Sequence, residues 1–206
     1  MQNVNIEGIG NKDTVKELFA QVNGLREENC FLVVLNYDYV GSMGGSTGQI
    51  ATANGAVVGA KAGGVAGGLV GGLVAGAVSN AVNEAIAEFK QSLDEKEKII
   101  FDTTVYGGYL LNIVSDGIGI IPLSNNGKIM PTPKNFTTDI EHYVFFANDE
   151  IEAIKLEKLP LRFSTKKLAL YLKNRKNSCP RWNCPAKDKL VMYQEENFKA
   201  LSARLG

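Results

Sequence analysis

The chain has 206 residues, of which 45% are hydrophobic and 21% are charged, a balance that excludes an intrinsically disordered protein and is typical of one or two folded domains. The 22 basic and 22 acidic side chains give a net charge of zero. The segment after Met1 has neither a basic region nor an early apolar run, so we expect a cytoplasmic protein with reduced thiols.

The first predicted elements are a helix at 13–27 and a strand at 30–40. The helix has apolar residues at three- and four-residue spacing, and Asn11 or Asp13 is available near its cap. These apolar residues are Val15, Leu18, Phe19, Val22 and Leu25. The strand is rich in β-branched and aromatic residues.

A second helical pattern covers 84–100 and is expected to end before Ile99. Beyond it the apolar residues alternate with a period of two, which is typical of strands. The Asp116–Gly117 pair predicts a hairpin turn. The predicted strands are 103–114, GIGIIPL after the turn, 142–146, 150–159, 166–174 and a short one near Arg181–Cys184; 123–140 is expected to be a loop and 187–205 a closing helix.

The order of these elements resembles that of the bacterial pleckstrin-homology-like (GRAM-type) domain. The segments that carry the resemblance are NIVSDGIGIIPL, NDEIEAIKLEKL, LALYLKN and YQEENFKALSARL. It implies a non-catalytic scaffold whose members bind lipids, peptides or proteins.

The expected fold class is therefore α+β, with an antiparallel PH-like barrel or sandwich of about seven strands and a C-terminal helix. We expect this β domain to comprise 1–40 and 100–206. A glycine-rich helical hairpin, within 41–99, is expected to be inserted after the first strand.

A glycine zipper, a small-residue repeat of period four, runs through residues 44–84. On a helix, two neighbouring rows hold only small residues, and the two opposite rows hold mostly Val, Leu, Ile and Ala. The glycines would destabilise an isolated helix by roughly 9 kcal/mol relative to alanine, so a partner surface must offset them. These packing glycines are Gly55, Gly59, Gly63, Gly64, Gly67, Gly68, Gly71, Gly72 and Gly76.

The form of the zipper follows from its period. A strict four-residue repeat drifts about 40° per step, so one long straight helix cannot keep its small rows on one partner. This favours a helical hairpin or crossed helices, and self-association into a homo-oligomer. Residues 62–82 lack charge over 21 positions, long enough to span roughly 30 Å of hydrocarbon. A segment in or on a bilayer and a hairpin packed in water both remain open.

Charge is unevenly distributed along the chain. Residues 151–206 hold thirteen basic and five acidic side chains, whereas 1–150 hold nine basic and seventeen acidic ones. This asymmetry suggests an anionic partner, although a solvated basic face accounts for it equally well. An anionic membrane surface or a protein is expected rather than nucleic acid. The candidate anionic-partner face is Lys155, Lys158, Arg162, Lys166, Lys167, Lys173, Arg175 and Lys176.

One motif suggests catalysis. Gly44–Gly48 matches the G-x-S-x-G of a nucleophile elbow, with Ser46 as the nucleophile. Asp116 or Asp139, followed by His142, would complete a triad. Because the following chain predicts antiparallel hairpins rather than βαβ units, we expect no catalytic residue, cofactor or small-molecule substrate.

A metal site is not expected either. Cys179 and Cys184 are separated by four residues, which is not the spacing of a zinc knuckle. With His142 as the only histidine, a four-ligand site would need carboxylates.

These features predict a non-enzymatic protein whose zipper self-associates in or on a membrane and whose β domain binds anionic lipid or protein. The alternative is a soluble oligomeric interaction module with the zipper hairpin packed in water. A serine hydrolase is the minor alternative.

Overall fold

The computed structural model describes residues 2–36, 88–89, 91–101, 105–126, 133–159, 162–175 and 179–205. All nine zipper glycines, Ser46 and Lys176 lie outside these ranges, and the side chain of Arg162 is not described. The predicted helical insertion therefore remains a prediction.

The N-terminal part forms two short helices, α1 (Ile6–Gly10) and α2 (Lys12–Gln21). The predicted cap of α2 is confirmed, because Asn11 Oδ1 accepts hydrogen bonds from the backbone N–H groups of Asp13 (2.9 Å) and Thr14 (3.2 Å). The helix ends earlier than predicted because Asn23 adopts a φ of 56° and the N–H of Gly24 donates back to the carbonyl of Phe19.

In the described part of the chain, eight strands form one open antiparallel sheet, in the order β4-β3-β2-β1-β8-β7-β6, with β5 also paired to β3. The three residues after β5 lead directly into β6 at the opposite edge, so the sheet curls until these strand ends are adjacent. The α+β class and the antiparallel pairing are confirmed, with eight strands instead of about seven. The strands are β1 (Cys30–Leu35), β2 (Tyr106–Val114), β3 (Gly117–Ser124), β4 (Thr137–Thr138), β5 (Val144–Ala147), β6 (Ile151–Leu159), β7 (Arg162–Leu172) and β8 (Arg181–Pro185).

The predicted hairpin between β2 and β3 is confirmed, but its turn lies one residue earlier than the predicted Asp116–Gly117 pair. Val114 pairs with Gly117, the first residue of β3, across the two-residue turn Ser115–Asp116. A Cβ atom at Gly117 would lie 2.3 Å from the carbonyl oxygen of Phe146, so the close approach of β5 requires glycine here. The predicted loop at 123–140 instead contains β4 and 3-10 turns at Pro133–Asn135 and Ile140–His142.

The sheet buries both of its faces along β1 to β3. The inner face of the curl surrounds Trp182 and Tyr109, and α4 (Gln194–Leu205) contributes Phe198 to it. The outer face of β1 to β3 packs against α1 and α2 through a cluster that includes Phe19 and Phe31, whose rings stack 5.5 Å apart. Each strand in this region therefore contributes alternate residues to two cores.

Two further helices in the described ranges flank the sheet. Helix α3 (Glu95–Phe101) begins with a capping box, in which Asp94 and Glu97 each accept a hydrogen bond from the other's backbone N–H. The expectation that it ends before Ile99 is wrong, because Ile100 is buried in the inner core and keeps the last turn on the sheet. Helix α4 confirms the predicted C-terminal helix but begins later than predicted. No helix in the described ranges is long and apolar enough to cross a membrane.

Candidate anionic-partner surface

The β6–β7 hairpin carries most of the predicted basic residues. Its register pairs Leu156 with Leu168, and both contribute to the inner core. Side chains alternate along a strand, so Lys158 and Lys166, each two positions nearer the hairpin tip, lie on the same inner face. The register places these two lysines directly opposite each other.

This cross-strand pair places like charges side by side. Lys158 is exposed, and the Nζ of Lys166 lies 5.6 Å from the ring centre of Phe198 on α4. Neither lysine forms an ion pair with a carboxylate in the described part of the chain. Like charges directly opposite each other in a sheet are destabilising relative to a pair of opposite charges.

The outer face of the same hairpin has a different arrangement. The Nζ of Lys155 lies 4.9 Å from the ring centre of Tyr171, whose hydroxyl donates to Glu157 (2.8 Å). Arg181 on β8 also donates to Glu157 (3.3 Å). Burial, and then the bond to Glu157, raise the pKa of Tyr171. The carboxylate of Glu157 is thus held by Tyr171 and Arg181, whereas Lys155 remains exposed.

The other predicted basic residues are dispersed. Lys167 lies opposite Glu157 on the outer face. Lys173 is exposed, but it follows β7 at the end of the hairpin far from Lys158. The structure therefore places four of these lysines on one hairpin, with Lys158 and Lys166 on its inner face and Lys155 and Lys167 on its outer face. We call these four residues the hairpin lysines.

Arg175 is not part of an exposed surface. Its Nε donates to one oxygen of the buried carboxylate of Glu97 (2.7 Å), and its Nη2 donates to the other oxygen. The side-chain amide of Asn174 also donates to this carboxylate (3.1 Å). Burial acts to raise the pKa of Glu97, but the hydrogen bonds from Arg175, the backbone N–H of Asp94 and Asn174, together with the charge of Arg175, outweigh it and the pKa is lowered. The same ion pair raises the pKa of Arg175. Arg175 therefore ties α3 to the end of β7.

Two of the predicted triad residues do meet. Nδ1 of His142 lies 2.8 Å from Oδ2 of Asp139, and the hydroxyl of Tyr106 donates to the same oxygen (3.3 Å). His142 and Tyr106 line a cleft of about 370 Å³ between α3 and the Ile140–His142 turn, and Asp139 does not line it. Asp116 instead pairs with Arg26 (2.9 Å) and does not line this cleft.

All three cysteines are free thiols. Burial raises the pKa of Cys30 to about 11 and that of Cys184 to about 12, and it raises the pKa of Cys179 as well. Thiols with raised pKa values are poor nucleophiles and poor metal ligands at neutral pH. The described residues contain no group of three His, Cys, Asp or Glu side chains that could hold a metal ion.

Asn183 is a buried polar residue that the sequence did not single out. It lies on β8, opposite Leu35 on one side and Lys167 on the other. It is 3% exposed, and neither of its amide atoms has a hydrogen-bond partner. Its sequence context, WNC within a strand, gives no signal that separates such a residue from an ordinary solvent-facing asparagine.

Comparison with protein-family models, with curated proteins and with solved structures finds no match to this chain. Its functional assignment therefore rests on its own residues and their geometry.

Proposed function

We propose that this chain is a non-enzymatic, membrane-associated protein with two working parts. The glycine zipper self-associates in or on a bilayer. The β domain, which we propose is related to PH-like domains, binds an anionic lipid or protein through the hairpin lysines.

The Lys158–Lys166 pair is the observation that carries this proposal. Two ammonium groups in register on one face of a hairpin repel each other, and no described carboxylate neutralises them. An anionic group placed between them would interact with both ammonium groups at once. A hairpin that faced only water would gain stability from a glutamate at either position.

Lysines at a sheet edge have another recognised role, which is to prevent strands of different molecules from pairing. That role needs charge on the edge strand β6, which Lys155 and Lys158 supply. Protection of the edge does not account for Lys166, because this lysine lies directly opposite Lys158 on β7, the neighbour of the edge strand. The pair is therefore better explained by an anionic partner than by protection of the edge alone.

Vesicle flotation tests this function. We expect the full chain to float with vesicles that contain phosphatidylglycerol, and to float less with pure phosphatidylcholine. The Lys158→Glu/Lys166→Glu variant should lose the preference for anionic lipid if that lipid is the partner. The Lys187→Glu/Lys189→Glu variant is the matched control, since it makes the same charge change at exposed lysines outside the hairpin.

The zipper is tested separately. Leucine at Gly63, Gly67 and Gly71 should disrupt self-association, measured by light scattering, and should reduce flotation with both kinds of vesicle. A wild-type chain that runs as a monomer and does not float with either composition would contradict the proposed function.

A serine hydrolase is the second candidate, because the Asp139–His142 pair has the contact that orients a catalytic imidazole. Ser46, its proposed nucleophile, lies outside the described residues. Turnover of p-nitrophenyl esters that is lost in both Ser46→Ala and His142→Ala would support it. Turnover that is absent, or that persists in Ser46→Ala, would remove it.

A further inference from the structure

We propose that the free edge of β6 binds an extended acidic polypeptide segment of a partner protein, which joins the sheet as an additional strand. This inference rests on the proposed function in one respect, namely that the hairpin has an anionic partner. It goes further by naming the chemical class of that partner and the backbone groups that bind it.

The backbone of β6 has an unpaired edge. Across the described chain, β6 pairs with β7 alone, and its residues form no other backbone hydrogen bond. In an antiparallel pair, N–H and C=O groups point alternately toward the neighbour and away from it. The outward groups of β6 are therefore available to a further strand, the binding mode in which main-chain bonds supply affinity.

The length of the free edge sets the length of the guest. The register with β7 is regular from Ala153 to Lys158 and is interrupted on either side by bulges. Six residues at about 3.3 Å per residue give a docking edge of roughly 20 Å. A guest segment of about six residues in extended conformation would cover it.

The side chains along this edge select acidic and apolar residues. On the inner face, Ile154 and Leu156 are only partly buried against the core, and Lys158 follows them. On the outer face, Lys155 is exposed, and the carboxylate of Glu157 is already bound by Tyr171 and Arg181. A guest with apolar side chains beside Ile154 and Leu156, and acidic ones beside Lys158 on the inner face and Lys155 on the outer face, fits both faces.

The placement of the lysines favours a strand over a membrane surface. Lys155 and Lys158 are three positions apart, so their side chains leave opposite faces of the sheet. A flat bilayer lying against one face would meet only one of them. A guest strand along the edge lies between the two faces and can contact both lysines.

Peptide binding to the full chain tests the inference. The probe is the fluorescein-labelled peptide Glu-Thr-Val-Glu-Val-Thr, titrated by fluorescence anisotropy. Paired antiparallel with its first residue opposite Lys158, it places one glutamate beside Lys158 and the other beside Lys155. We expect saturable binding that weakens at least about tenfold in Lys155→Glu/Lys158→Glu, because two attractive pairs become repulsive. The Lys187→Glu/Lys189→Glu control should bind like the wild type.

Backbone pairing is tested on the wild-type protein with N-methylated versions of the same peptide. Methyl groups on the odd residues and on the even residues leave the charge unchanged, but only one of the two sets of N–H groups can face β6. Methylation of one set of residues should abolish binding, and methylation of the other set should leave the affinity unchanged. Equal binding of the two patterns, or no binding of the unmethylated peptide, would overturn the inference.

The two proposals can fail separately. If the peptide does not bind but flotation with phosphatidylglycerol vesicles still depends on Lys158 and Lys166, the β6 inference is wrong and the proposed function stands. If the peptide binds and flotation is unaffected by the hairpin variants, the partner is a polypeptide. If neither probe depends on the hairpin lysines, both proposals are wrong.

Discussion

The side-chain amide of Gln194 on α4 forms two hydrogen bonds with the backbone of Val33 on β1, as a neighbouring strand would. Oε1 accepts from the N–H of Val33 (2.9 Å), and Nε2 donates to the carbonyl of Val33 (3.0 Å) and to that of Pro185 on β8 (2.9 Å). Within the described residues, strand β1 pairs with β8 only at Leu35 and Asn183. Asn197, also on α4, replaces a neighbouring strand in the same way, because its side-chain amide donates to the backbone carbonyl of Phe31 (2.8 Å). The C-terminal helix thus fills a gap in the strand pairing.

Replacement of Gln194 by leucine should lower the free energy of unfolding by about 2–4 kcal/mol, because buried backbone groups of Val33 and Pro185 lose their partners. Urea denaturation monitored by the fluorescence of Trp182 measures this change. Glu196→Leu on the exposed side of the same helix is the control and should change stability by less than about 0.5 kcal/mol. Equal effects of the two substitutions would show that the amide does not replace a strand.

Replacement of Asn183, unlike that of Gln194, should stabilise the protein. Both of its amide atoms are buried without partners, so its replacement by valine removes an unsatisfied polar group from the sheet. We expect Asn183→Val to raise the free energy of unfolding by about 1 kcal/mol in the same urea experiment. A loss of stability as large as that of Gln194→Leu would mean that Asn183 makes hydrogen bonds in solution.

The Glu97–Arg175 pair should make the fold sensitive to acid. The pKa of Glu97 is lowered from its ordinary value of 4.5, so its contribution to stability is present above that pH and is lost as the pH falls through the folded-state pKa. Glu97→Gln should be about 3 kcal/mol less stable at neutral pH, since Arg175 loses its buried partner. The difference from wild type should shrink as the pH falls below 4.5.

Urea unfolding at a series of pH values measures both effects. The pKa of Glu150 is also lowered, through its pair with Lys96, so the wild-type curve alone does not isolate Glu97. The difference in the free energy of unfolding between wild type and Glu97→Gln isolates the contribution of Glu97. A constant difference between the two proteins across the acid range would contradict the assignment.

Local patterns in the sequence predicted the elements of the fold but not their arrangement. The spacing of Val15, Leu18 and Phe19 and the cap at Asn11 are local signals, and they located α2. The pairing of β1 with β8, some 150 positions apart, depends on contacts that no periodicity records. The hydrogen bonds between Gln194 and the backbone of β1 could not be predicted for the same reason, since the two lie far apart in the sequence.

The sequence predicted which basic residues could form the candidate surface, but not which faces of the sheet they occupy. Charge asymmetry pointed to the basic C-terminal third, but a list of charges does not say which face each occupies. Arg175 was grouped with the exposed lysines, whereas the buried carboxylate that holds it comes from α3, 78 positions away. The opposition of Lys158 and Lys166 follows only from the observed register of the hairpin.

The stability of Lys158→Glu tests the central claim most directly, which is that the hairpin retains a like-charge pair for an anionic partner. The substitution replaces repulsion between Lys158 and Lys166 with an attractive cross-strand pair. We predict that the free energy of unfolding of the unliganded protein, measured in urea, rises by about 0.2–1 kcal/mol. A lower free energy of unfolding in Lys158→Glu than in wild type would contradict the account, because Lys158 would then stabilise the free hairpin itself.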